Sequence, residues 1–203
     1  MRSVFHVEPS FLFPALLLFF SSDLKEILLF LSAVVFHEAG HLLTLYAFGY
    51  GVKRVSLSLS GAAITPAVSY IPYRKEILIY LSGPLGNVLG MLISFFLLRM
   101  EFTKDGMLFF FCNLLLFLLN LLPVYGLDGE RALSACLSLF LDMETCEKCC
   151  LGISCVALTL LFLFSLHLFF WEKNPSLILL TLSLLPREKT KRLPKKRHKK
   201  SYV

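Results

Sequence analysis

The sequence predicts an all-α polytopic membrane protein with about six transmembrane helices, four at the fewest, and a small membrane-associated β-hairpin near residues 54–66. Long apolar runs recur from end to end of the 203-residue chain, which is 57% hydrophobic, where a soluble domain of this size carries about 45–50%. Between the runs, Val55-Ser56-Leu57-Ser58-Leu59-Ser60 alternates apolar and polar residues, the period of a strand and not of a helix. The net charge of +6 is concentrated, since nine of the 20 Lys and Arg lie between Arg187 and Lys200. Without that stretch, 11 basic residues face 13 acidic ones, because Glu188 is its one acid. The chain therefore divides into an integral-membrane domain, residues 1–186, and a basic tail, residues 187–203. Such a tail argues for the cytoplasmic side of a membrane, with the lipid bilayer and no nucleic acid as its partner.

Residues 11–22 form an apolar run interrupted by Pro14, short for a span at about 1.5 Å per residue and lacking a small-x-small cleavage site. Leu24 to Phe48 is long enough to cross. Gly49 to Lys75 is not helical in pattern; Gly61, Pro66 and Pro72 punctuate the amphipathic strand or hairpin, whose edge could pair with an extended substrate. Glu76 to Leu98 is a clear span, and its Asn87 requires a partner. Met107 to Leu122 is the next. Pro123, Gly126 and Gly129 then break the helix within membrane depth, which is tolerated where the backbone is buried or lines a cavity. Residues 133–141 are apolar but short, residues 151–171 span, and residues 176–186 are again short. With all six runs crossing, Lys53, Arg54, Arg74, Lys75, Arg131, Lys148 and the tail share the cytoplasmic side. Cys146-x-x-Cys149-Cys150 has the spacing of half a zinc or redox site, but no second pair matches it, so these are expected to be free thiols.

One stretch carries chemistry. His37-Glu38-Ala39-Gly40-His41 lies inside the second run. On a helix His37 and His41 are i and i+4, so both imidazoles leave one face a turn apart, as two ligands of one tetrahedral Zn²⁺ require. Glu38 beside them could take a proton from a metal-bound water. Two imidazoles and a carboxylate in an apolar span are costly unless they bind something. A catalytic zinc usually has a third protein ligand. Asp128, an acid at a broken helix between glycines, is the best candidate; Glu101, Asp105, Asp142 and Glu144 sit in loops with a solvated pattern.

His37-Glu38-Ala39-Gly40-His41, Gly83-Pro84-Leu85-Gly86-Asn87, and Asn120-Leu121-Leu122-Pro123 with Leu127-Asp128-Gly129 together resemble the three motifs of the site-2 protease family of intramembrane zinc metalloproteases. The resemblance covers residues from about 5 to 170. It is nearest to the compact branch that includes a Bacillus sporulation protease processing a pro-sigma factor. It implies one Zn²⁺ per chain held by His37, His41 and Asp128, with Glu38 as general base. Asn120, and with it Asn87, would bind substrate or stabilise the oxyanion. The segment Arg54 to Ala63 resembles the family's membrane-associated strand, with Gly61-Ala62 where Gly-Gly is common. The implied function is hydrolysis of a peptide bond in a membrane-associated protein substrate, in a bacterial cell membrane, under the control of an inhibitory or activating membrane partner. A non-proteolytic zinc-binding scaffold or a transporter is the alternative. The basic tail stands where many relatives carry a regulatory domain, so ATP sensing by such a domain is not expected.

Overall fold

The computed structural model describes residues 5–7, 23–58, 61–68, 70–173 and 176–184. Helix α1 (Leu24–Ala47) ends where Gly49 takes φ +72°, a conformation open to a residue without Cβ. There the Gly49 N–H donates to the Tyr46 carbonyl and the Tyr50 N–H to the Leu45 carbonyl, both at 2.9 Å. This is the paired Schellman closure of a helix end. Tyr50 also packs on Leu45 in a cluster with Ile71, Ile79, Phe48, Val52 and Ile64, which ties the sheet to the helices at that end.

Strands β2 (Val52–Ser58) and β3 (Gly61–Pro66) form the expected hairpin, antiparallel with Val55 opposite Ile64 and Ser58 opposite Gly61. Strand β1 (Phe5–Val7) was not expected; it runs parallel to β2, with Phe5 opposite Val55 and Val7 opposite Leu57. The strand order is β1-β2-β3. This corrects one expectation. Within the alternating stretch, Val55 to Leu57 is not an edge, because there β2 has neighbours on both sides; residues 59 and 60 lie outside the described residues.

Helix α2 (Tyr73–Met100) runs through Pro84. Helix α3 (Lys104–Leu121) is capped by Thr103, whose side-chain oxygen accepts from the Gly106 N–H at 3.1 Å. It stops before Pro123, and the chain turns into helix α4 (Asp128–Leu137). The break lies under helices α5 (Met143–Glu172) and α6 (Ser176–Ser183). Val124 and Leu127 are buried with Leu184 against Ala157, Leu158, Leu161 and Leu180. The Pro123 carbonyl, freed by the break, accepts from Ser154 Oγ at 2.8 Å. Covering the break with protein and giving its carbonyl a partner is what membrane depth demands. At the start of α5 the Thr145 backbone N–H donates to Asp142 at 3.1 Å, and this bond holds the Asp142 carboxyl below the usual carboxylate range.

Among the described residues, four helices are long and apolar enough to cross a membrane: α1, α2, α3 and α5. This supports an integral membrane protein. Of the two shorter runs, the described part of 176–186 holds the eight-residue α6, about 12 Å long; its last two residues, the run 11–22 and the tail 187–203 lie outside the described residues.

Candidate metal centre

The centre forms where α1, α2 and α4 meet. His37 and His41 are buried on one face of α1, with ring centroids 4.9 Å apart and planes at 84°. Asp128, the first residue of α4, is brought to them by the turn after Pro123 and is equally buried. Its Oδ2 lies 2.9 Å from Nε2 of His37 and 2.9 Å from Nε2 of His41. The three donor atoms all lie within 4.8 Å of one another, as a shared metal ion requires.

Close approach of the helices is made by missing side chains. A Cβ at Gly40 would collide with the Ser82 carbonyl, and one at Gly86 with the Phe36 carbonyl, so α1 and α2 meet backbone to backbone. A Cβ at Gly83 would occupy the space beside His41 Nε2 and the Cε1 atoms of both imidazoles. Glycine at 83 therefore keeps the donor side of both rings clear. Gly129 lies against the Leu121 and Leu122 carbonyls, which lets α4 start directly beneath the end of α3.

The far side of each ring is equally determined. His41 Nδ1 is 2.7 Å from the Ile79 carbonyl. His37 Nδ1 is 2.7 Å from Asn87 Oδ1. The Asn87 amide is oriented because its Nδ2 donates to the Ala33 carbonyl and to Asn113 Oδ1, each at 3.1 Å. Both imidazoles thus face an acceptor at Nδ1 and carry their proton there. In the neutral rings Nε2 is a lone pair, and both lone pairs face a carboxylate oxygen. Three acceptors converging at 2.9 Å need a cation between them. A proton on each imidazole answers that need in one state and Zn²⁺ in another, so the residues present fit the metal.

Glu38 is half-buried on α1 and within electrostatic reach of His37, His41, Asp128 and Arg131. Arg131, one turn after Asp128, lies with its guanidinium 5.8 Å from the Tyr80 ring. Asn87, expected to contact substrate or the oxyanion, has its Oδ1 on His37 and its Nδ2 hydrogens on Ala33 and Asn113. Asn120 is half-buried near the end of α3, and its Nδ2 donates to the Leu116 carbonyl of its own helix at 3.0 Å. Asn113 is the partner that Asn87 requires, and sequence reasoning missed it. The signal was present: it is a single amide in the middle of an apolar span, and such a group must find a bond. The cysteines form no disulfide; Cys146 Sγ bonds the Ser134 carbonyl at 3.4 Å and is buried.

No protein-family model matches the chain. Over 131 residues the chain is 29% identical to Stage IV sporulation protein FB of Bacillus subtilis (strain 168), covering 63% of this chain and 46% of that protein. The chain thus spans about half the length of that relative. The fold matches that of the site-2 protease from Methanocaldococcus jannaschii with a TM-score of 0.65 at 20% identity, over 89% of this chain and 86% of that one. The sequence relationship is thus to a sporulation protein, and the shared fold is that of a site-2 protease.

Proposed function

From the geometry of the centre and these two likenesses, we propose that the chain is an intramembrane zinc metalloprotease of the site-2 protease type that hydrolyses a peptide bond of a membrane-associated protein substrate within or near the bilayer. The observation that carries this reading is the convergence of His37 Nε2, His41 Nε2 and Asp128 Oδ2, with both ring tautomers set from behind and a carboxylate, Glu38, alongside. His37, His41 and Asp128 would hold one Zn²⁺, which supplies Lewis-acid polarisation of the scissile carbonyl and makes water nucleophilic near neutral pH. Glu38 takes the proton from the attacking water on its carboxylate and returns it to the leaving amine. Asn87 and the Ile79 carbonyl keep the two rings aimed while this happens. Asn120, with one Nδ2 hydrogen beyond its bond to Leu116, is the proposed contact to substrate.

A helical peptide bond is shielded by its own turn, so the substrate must unwind before attack. The outer edge of β3 is proposed to hold the unwound segment by strand addition. A pro-sigma or anti-sigma factor of sporulation fits the substrate class, in a bacterial cell membrane with the basic tail on the cytoplasmic side. An inhibitory or activating membrane partner would gate access.

Glu38→Gln separates proteolysis from zinc binding alone. Cleavage of a membrane-anchored substrate by the detergent-purified protein is expected to fall to background in this variant, with zinc content and fold retained. Cleavage at the wild-type rate would remove Glu38 from the mechanism.

A further inference from the structure

Asn113 sits in the middle of α3 with no exposed surface. A buried amide in an apolar span is costly unless it is bonded. Its Nδ2 donates to the Phe109 carbonyl at 2.9 Å and its Oδ1 accepts from Asn87 Nδ2 at 3.1 Å. A backbone carbonyl can only accept, so the Phe109 contact allows one orientation of the Asn113 amide. That orientation presents Oδ1 to Asn87. Asn87, holding two acceptors on its Nδ2 side, can present only Oδ1 to His37. The chain of direction therefore runs from α3 through α2 to a ring on α1. The slot is shaped for it: a Cβ at Gly90, one turn from Asn87 on α2, would overlap the Oδ1, Cγ and Nδ2 of Asn113.

We infer that Asn113 is a positioning residue of the metal centre, acting through Asn87 to keep the Nδ1–H tautomer of His37 and so its Nε2 lone pair toward the ion. This rests on the zinc reading of the His37–His41–Asp128 cluster. With Asn113 removed, one of the two acceptors opposing a flip of Asn87 is lost. A flipped Asn87 aims a donor at His37 Nδ1 and moves the ring proton to Nε2, where it blocks ligation. Groups behind a ligand change metal affinity by about 10–100-fold; for a residue one step further back, with the Ala33 carbonyl still in place, the expected loss is about tenfold.

The test is zinc affinity of the detergent-purified full-length chain, measured in chelator-buffered Zn²⁺, beside thermal unfolding of the metal-free protein. Asn113→Leu should weaken zinc binding about tenfold and shift the visible spectrum of the Co²⁺ form. Asn113→Asp, which keeps an acceptor toward Asn87, should restore affinity to within about threefold of wild type. Asn87→Ala should lose about 10–100-fold, and adding Asn113→Leu to it should lose nothing more, because the two act in series. A residue with only a packing role would change the unfolding temperature and leave zinc affinity alone; that outcome, or additive losses in the double variant, would overturn the inference. Should Asn113→Leu fail to fold, Gly90→Ala, which displaces the same amide while keeping it, is expected to show the tenfold loss, and unchanged affinity there would equally overturn it. A wild-type chain that binds no zinc would instead overturn the metal reading itself, and the inference with it.

Discussion

The contact among α1, α2 and α3 and the contact between α5 and α6 both bury polar side chains among apolar helices, and they satisfy them in different ways. In the α5–α6 region, buried Ser165 donates to the Phe162 carbonyl and buried Thr181 to the Ile178 carbonyl, each three residues back on its own helix. Such bonds travel with the helix and say nothing about its neighbours. Among α1, α2 and α3, buried Ser82 and Ser94 also close locally, but four further bonds cross between helices: His37 to Asn87, Asn87 to Ala33 and to Asn113, and His41 to Ile79. These hold only at one depth and one rotation of each helix. Glycines follow the same division. Gly40 and Gly86 have a neighbouring backbone where a Cβ would stand, whereas Gly152 on α5 has nothing within 4 Å. The difference teaches that the bonds around His37 and His41 fix the rotation of one helix against another, whereas those of Ser165 and Thr181 leave it open.

Four substitutions would sharpen or break this comparison. The largest effect is expected for Asp128→Ala, which removes an anionic donor from the centre. Zinc content of the purified protein should fall from about one per chain to near none, and full retention would place the third ligand elsewhere. Next comes Gly40→Ala, which drives a methyl into the Ser82 carbonyl; a loss of about 1–3 kcal/mol in unfolding free energy is expected. A neutral result would mean α1 and α2 can separate without cost. Gly152→Ala is the matched control, expected to be neutral or stabilising by up to about 1 kcal/mol through helix propensity. The smallest effect belongs to Ser165→Ala, within about 0.5 kcal/mol, since the Phe162 carbonyl loses only an accessory bond. A loss as large as that of Gly40→Ala would erase the distinction between the two regions.

Much of the centre was legible in the residues themselves. His37 and His41 share a face because helical periodicity places i and i+4 together. Asp128 stood out because Pro123, Gly126 and Gly129 must break a helix, and an acid at such a break needs a reason. The hairpin followed from the alternation at Val55–Ser60, but its central place in the sheet did not, because β1 is contributed from nearly fifty residues earlier, Phe5 pairing with Val55. Asn87 was visible as a group needing a bond, but its partners His37, Ala33 and Asn113 were not.

By itself, the sequence determined the membrane-crossing class, the apolar spans, the helix break and the face that His37 and His41 share. All of these follow from local properties: transfer of side chains out of water, helical period, and the conformational limits of proline and glycine. Only the tertiary structure decided which way each amide and imidazole points, that Asn113 stands behind Asn87, and that α6 covers the break. The spans are apolar around most of their circumference, so the local pattern leaves rotation about the helix axis open. That rotation is settled by backbone contact at Gly40 and Gly86, by the imidazoles packed against Gly83, and by hydrogen bonds between residues tens of positions apart.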